Sequence, residues 1–178
     1  RIAAAEGQSV ETEMIARPNF SLEDHLNTGI RGTLRKKWDV VVLQQGPSSL
    51  DESRRQLIHD VKAIAALTRP RTRIAVLMVW PERSRWQALS RVEESHRLAA
   101  EAVKGQLIPA GTAMQAALER DPQLPLFAGD GFHPAAMGTY LTALTTYQTL
   151  VGPARSEKID KVLLDAATKA TTRTAPGS

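Results

Sequence analysis

Two side chains that can handle protons lie three positions apart in the stretch Asp130-Gly131-Phe132-His133-Pro134. At this spacing the carboxylate can accept a hydrogen bond from one imidazole nitrogen, which leaves the other nitrogen as the proton acceptor of a general base. Pro134 follows at once, where the first residue of a helix is expected, so we predict that His133 stands at a helix entrance. The alternative is that Asp130 and His133 only cap that helix and close a turn, because so short a motif arises easily by chance.

A second polar group, Gln44-Gln45-Gly46, follows the apolar run from Val40 to Leu43. A glutamine amide or a loop N–H can donate a hydrogen bond to a developing oxyanion, which is usually the largest catalytic contribution in acyl transfer. An imidazole held by a carboxylate can activate a hydroxyl nucleophile. Together, the two groups predict acyl-transfer chemistry.

Two tryptophans and three further histidines are weaker candidates. Trp80 and Trp86 flank the loop after a predicted strand and could line an acyl or sugar pocket, with packing in the core as the alternative. His25 follows an aspartate directly, but adjacent helical residues do not face each other. His59 and His96 complete the four histidines, which do not show the spacing of metal ligands. We therefore predict neither a metal nor a cofactor.

The composition is that of an ordinary globular chain of 178 residues, with 42% hydrophobic and 24% charged residues. The net charge of +4 comes from scattered basic groups without interleaved aromatic residues. This pattern predicts solvated faces and no nucleic-acid partner. No apolar run reaches the ~20 residues of a membrane span, so we expect a soluble protein, either cytoplasmic or exported. The absence of cysteine excludes disulfides and thiolate metal sites.

Apolar runs alternate with amphipathic stretches along the chain. The β-branched run from Val40 to Leu43 predicts a strand buried on both faces, as in a parallel sheet. Further strands are predicted at Val10–Ile15, Arg73–Trp80 and Gln106–Pro109, and helices at Asp51–Leu67, Trp86–Val103, Gly111–Leu118, Ala135–Leu150 and Ser156–Thr171. This alternation predicts one α/β domain over residues 1–171, with helices on both faces of a parallel sheet and a frayed tail over 172–178.

The polar stretches resemble conserved blocks of one enzyme family. Val40 to Ser48 and Asp130 to Pro134 are similar to the third and fifth blocks of the SGNH/GDSL hydrolases, and Ser21 to His25 sits where the second block falls. The resemblance implies a doubly wound, flavodoxin-like parallel sheet and an esterase or acetylesterase with a Ser-His-Asp triad. It implies that His133 is the base and Asp130 its orienting acid.

The same resemblance implies the remaining site residues. Gln45 is the amide donor to the oxyanion, with Gln44 beside it, and Ser21 supplies an N–H from the second block. Ser21 is equally suited to be the N-cap of a helix. From their places in the loops, and not from the resemblance, Gln44 and Trp80 are expected to line the substrate pocket.

The family's first block, a strand ending in the nucleophilic serine, has no match in the sequence. We therefore expect a fragment whose first, central strand and nucleophile lie before Arg1. Ser9, Ser48 and Ser49 are less suitable substitutes, since Ser9 precedes the first predicted strand and the other two suit a turn.

The predicted function is an ester hydrolase or deacetylase acting on a small-molecule or carbohydrate ester. The alternative is a non-catalytic module that binds carbohydrate or acyl chains on the same fold. A third interpretation treats the basic balance as contact with an anionic polymer or membrane surface. The oligomeric state is left open by the sequence.

Overall fold

The computed structural model describes residues 1–155 and 159–174. Three strands are present within these residues: β1 (Val40–Gln44), β2 (Arg73–Leu77) and β3 (Gln106–Ile108). The α-helices are α1 (Ile2–Ala5), α2 (Leu22–Asn27), α3 (Arg31–Leu34), α4 (Asp51–Ala65), α5 (Leu89–Glu101), α6 (Ala110–Arg120), α7 (Ala136–Leu150) and α8 (Lys161–Thr174), and a 3₁₀ helix covers Arg83–Ala88. No helix in the described part is long and apolar enough to cross a membrane.

The chain divides into two compact units. The first comprises Arg1–Met14, Trp80–Trp86 and Ile108–Ser178, and the second comprises Ile15–Val79 and Gln87–Leu107. Each is described by itself below.

The second unit is built on the parallel pair β1 and β2. Their register aligns Val40 with Arg73 and Gln44 with Leu77. Helix α4 connects the two strands, as a parallel pair requires, and packs against α5, which also covers β2. Strand β3 follows α5 and extends the sheet on the other side of β2, giving the order β1-β2-β3.

The core of the second unit confirms the amphipathic reading of its helices. The apolar stripe of α4 is buried, and so are the central residues of β2 and the inner face of α5, at Leu57, Val61, Ile64, Ile74, Ala75, Val76, Val92 and Ala99. Full burial of each large aliphatic side chain stabilises the fold by about 1.5–3 kcal/mol.

The first unit is helical. Helices α6, α7 and α8 pack against one another, and α1 packs against α7. Their shared core contains Met114, Leu126, Leu141, Leu144, Leu163 and Ala167. Gly138, near the start of α7, lies so close to the Leu126 carbonyl that a Cβ placed on it would come 2.1 Å from that oxygen. The absence of a side chain at Gly138 therefore lets α7 pack directly on the segment that precedes Asp130.

Several sequence expectations are wrong in detail. Residues 10–15 form no strand, and Val10, Met14 and Ile15 are exposed, because a period-2 pattern yields a strand only where another strand can pair with it. Strand β1, at one edge of the sheet, is not buried on both faces as predicted, since Val42 is 42% exposed.

Other element ends also differ from the prediction. The helix expected from Trp86 divides into the 3₁₀ helix and α5, with a non-helical backbone at Arg85. The predicted start of the last helix at Ser156 lies outside the described residues, and α8 continues to Thr174, beyond the predicted end at Thr171.

Candidate active site

The residues from Leu126 to Ala135 form a closed loop that holds Asp130 and His133. Phe127 and Pro134 pair as an isolated antiparallel bridge. The Ala128 N–H donates to the His133 carbonyl at 2.8 Å, and the Ala135 N–H donates to the Leu126 carbonyl at 2.9 Å. Pro134 therefore belongs to the loop, and the prediction that it opens the helix is wrong: the N-cap is Ala135, whose backbone is extended, and α7 begins at Ala136.

The tip of this loop is shaped by Asp130 and Gly131. One oxygen of Asp130, Oδ1, accepts hydrogen bonds from the backbone N–H groups of Phe132 at 3.0 Å and His133 at 2.9 Å. Gly131 has a φ of +67°, a left-handed conformation that glycine adopts without steric cost. Asp130 thus fixes the backbone of the residue that carries the imidazole.

The second oxygen of Asp130 is committed to the histidine ring. Oδ2 lies 2.6 Å from His133 Nδ1, a distance typical of a strong hydrogen bond to a charged group. The hydrogen bond from His133 and those from the two backbone N–H groups lower the pKa of Asp130 to about 2. His133 is 72% exposed, and its Nε2 has no partner among the described residues. The arrangement places the Nδ1 proton on the Asp130 side and leaves the Nε2 lone pair facing solvent.

Neighbouring segments of the same unit hold the loop in place. The Trp80 indole N–H donates to the Phe132 carbonyl at 2.9 Å, and the Arg83 backbone N–H donates to the Gly131 carbonyl at 3.1 Å. The Phe132 ring meets the His133 ring edge-on, with centroids 5.2 Å apart. Trp80 is buried, so it packs in the core and braces the loop, in agreement with the predicted alternative of core packing. Its role as a wall of the substrate pocket stays a prediction.

An aromatic cluster that the sequence does not reveal adjoins the loop. Phe127 makes edge-on contacts with Trp80, at a centroid distance of 6.1 Å, and with Trp86, at 5.8 Å. The Arg83 guanidinium lies over the Phe127 ring, 5.8 Å from its centroid. In the sequence Phe127 is one aromatic residue in a proline-containing loop, with no pattern around it that predicts its position. The bridge to Pro134 is what brings it beside Asp130 and His133.

The glutamine loop lies in the second unit. Gln45 Oε1 accepts the Leu22 N–H at 3.0 Å, which holds the carbonyl end of the amide. The Nε2 end then has no acceptor in the part of the chain that the structure describes, so it is available as a donor. Gln44, at the end of β1, is exposed.

Ser21 is the N-cap of α2. Its hydroxyl accepts the Asp24 N–H at 3.1 Å, and its own N–H donates to Asp24 Oδ2 at 2.8 Å, which completes a capping box. The hydrogen bonds from Ser21 lower the pKa of Asp24. The N-cap role considered for Ser21 is therefore present, and its N–H could serve an oxyanion only by releasing Asp24.

Comparison with known proteins relates this architecture to two solved structures. No protein-family profile matches the sequence, and no curated protein matches it. A protein from Slackia heliotrinireducens, provisionally described as an SGNH hydrolase, superposes with a TM-score of 0.66 at 23% identity, over 84% of this chain and 88% of its own. The chain has the fold of the SGNH-type hydrolases.

A second similar structure is a DUF4886 family protein from Bacteroides uniformis, with a TM-score of 0.64 and 23% identity. The match covers 81% of this chain but only 65% of the Bacteroides protein, so the chain spans less than two thirds of that relative. The SGNH-type fold confirms the predicted doubly wound α/β class, with three parallel strands in an open sheet and helices around it.

Within the SGNH-type fold the other sequence candidates occupy different surroundings. Ser48 and Ser49 are buried, and the Ser48 hydroxyl donates to the Gly46 carbonyl at 3.3 Å, as expected for turn residues. His25 contacts the Phe20 ring edge-on. The remaining two histidines are an exposed residue at 59 and a fully buried one at 96.

Proposed function

We propose that this chain provides the histidine and the aspartate of a serine-type ester hydrolase. His133 Nε2 accepts the proton of a serine hydroxyl as that oxygen attacks the ester carbonyl, and then delivers it to the departing alcohol. The same nitrogen next takes a proton from the water that attacks the acyl-enzyme and returns it to the serine oxygen as the carboxylic acid departs. Asp130 keeps the ring in the tautomer with the proton on Nδ1 and stabilises the imidazolium formed in each step.

The observation that carries this proposal is that the two oxygens of Asp130 accept hydrogen bonds from different groups. Oδ1 is taken by two backbone N–H groups, whereas Oδ2 lies 2.6 Å from the ring nitrogen. The rival explanation, helix capping, does not account for the pair, because α7 begins at Ala136 and its N-cap receives no side-chain hydrogen bond. Turn closure explains Oδ1 but leaves the bond from Oδ2 to an exposed imidazole without a structural purpose.

We also propose that Gln45, the amide donor that the resemblance to the SGNH hydrolases implies, holds the oxyanion. Gln45 has its carbonyl end held by Leu22, which orients the amide and leaves Nε2 as the donating atom. A pre-oriented donor of this kind stabilises the tetrahedral intermediate, and removing one costs about 10²–10³ in kcat. The Gln45→Ala variant of the complete gene product should show that loss, while Gln44→Ala, one residue away and exposed, is the matched control.

Hydrolysis of p-nitrophenyl acetate by the complete gene product, together with fluorophosphonate labelling, tests the mechanism. His133→Ala should lose labelling and several orders of magnitude in kcat, as removal of a triad base does. His59→Ala is the control, because His59 is also an exposed histidine with a carboxylate near its Nδ1, at 3.1 Å. Mass spectrometry of the labelled peptide identifies the nucleophilic serine.

The Asp130→Asn variant isolates the orienting role. An asparagine amide presents the wrong hydrogen-bonding group to Nδ1 and favours the other tautomer, so activity should fall by about 10⁴-fold while the fold persists. Absence of both hydrolysis and labelling in the complete gene product, with His133 intact, would refute the esterase proposal and favour the binding module.

A further inference from the structure

The surface beside the dyad combines aromatic rings with a fixed positive charge. Phe127 pairs with Pro134, the residue after His133, and carries Trp86 on one side. Phe127 and Trp86 are both half-buried, so part of each ring remains accessible. Arg83 lies over Phe127 and is exposed.

Arg83 is held in position without an acidic partner among the described residues. Its backbone N–H is bonded to the Gly131 carbonyl, and its Cβ would lie 3.8 Å from a Cβ built on Gly131. Two other arginines, Arg54 and Arg97, form ion pairs with glutamates at 2.6 Å. The Arg83 guanidinium instead faces a ring, which leaves its N–H donors for another group.

We infer that Arg83 selects esters that carry an anionic group, with the Phe127 and Trp86 rings contacting the apolar body of the substrate. This inference rests on the proposed esterase function and names its substrate class. A small acyl group needs neither rings nor charge for its recognition, whereas a ring-containing alcohol with a carboxylate, sulfate or phosphate uses both. The guanidinium fork matches a planar or tetrahedral oxyanion, which an ammonium group does less specifically.

A matched pair of substrates tests the selectivity. The anionic ester 4-acetoxybenzoate and its neutral methyl ester share the same acyl group and ring. In the complete gene product, Arg83→Met should reduce kcat/KM for the anionic ester by about 10- to 100-fold, the usual effect of losing a hydrogen bond to a charged group, and change the neutral ester little. Arg85→Met is the control, because Arg85 is exposed in the same 3₁₀ helix.

A binding measurement makes the inference independent of turnover. The amide 4-acetamidobenzoate has the same shape and charge but resists ester hydrolysis, and its binding can be followed by tryptophan fluorescence from Trp86. The unaltered protein should bind it more tightly than its methyl ester, and Arg83→Met should abolish that preference.

The outcomes separate the two proposals. If both esters are hydrolysed and Arg83→Met leaves their ratio unchanged, the Arg83 assignment is wrong and the esterase proposal stands. If neither ester is hydrolysed and the amide still shows an Arg83-dependent preference over its methyl ester, the anion site stands and the esterase proposal fails. Equal binding of amide and methyl ester by the unaltered protein would overturn the inference directly.

Discussion

Replacing Gly138 with alanine tests the contact that seats α7 on the dyad loop. The added methyl would lie 2.1 Å from the Leu126 carbonyl oxygen, 3.1 Å from its carbon and 2.9 Å from the Met114 methyl. Met114 can turn its flexible tip away. The Leu126 carbonyl cannot move freely, because it accepts the Ala135 N–H at 2.9 Å.

The magnitude follows from three contributions. Overpacking against backbone costs about 1–3 kcal/mol, and weakening the Ala135 hydrogen bond costs about 1 kcal/mol more. Alanine regains about 1 kcal/mol over glycine through helix propensity. The expected net loss in the free energy of unfolding is about 1–3 kcal/mol, or a decrease of about 2–12 °C in Tm for a chain of this size.

Thermal and urea unfolding, followed by circular dichroism, measure this loss. Gly32→Ala is the matched control: Gly32 also lies in a helix, α3, but a Cβ built there meets nothing within 4 Å. That variant should be neutral or more stable by up to about 1 kcal/mol. A Gly138→Ala protein as stable as the unaltered one would show that α7 leaves room for a methyl group beside the Leu126 carbonyl, which would refute this reasoning.

Two further predictions concern stability. Burial lowers the pKa of His96 from 6.5 to about 4, so as pH falls the unfolded chain takes up a proton before the folded protein does. The free energy of unfolding should therefore decline from pH 6.5 downwards, by about 3 kcal/mol in total once pH is below 4. Urea titrations at several pH values should show a shallower decline for the His96→Leu variant. An equal pH dependence in both proteins would contradict this assignment. Trp80→Phe removes the donor to the Phe132 carbonyl and should lower the free energy of unfolding by about 1 kcal/mol or more, whereas an unchanged urea midpoint would show that this bond contributes nothing.

Features that depend on local pattern were predictable from the sequence. Uninterrupted apolar residues predicted β1 and the centre of β2, and the apolar stripe predicted α4 within two residues at its end. The Asp130–His133 hydrogen bond also followed from spacing, because three residues with a flexible glycine bring the two side chains within reach.

Features that depend on distant partners were not predictable. The segment 10–15 has strand-like alternation, but pairing with a neighbour decides whether a strand forms. Pro134 suits the first turn of a helix, yet its pairing with Phe127 keeps it in the loop. The sequence predicted Arg83 as one more solvated charge, because its contact partners, Phe127 and Gly131, lie more than 40 residues away in the chain.

The loop from Leu126 to Ala135 is largely self-contained. Most of the bonds that shape it run between its own residues, from the Phe127–Pro134 bridge to the two hydrogen bonds on Asp130 Oδ1, and Trp80 and Arg83 add one bond each from outside. A segment that organises itself in this way is a portable module, which a protein engineer could graft onto another hairpin together with its orienting acid. Glutamate would be a poor replacement for Asp130 in such a graft, because its longer side chain cannot hold the turn and the ring at once.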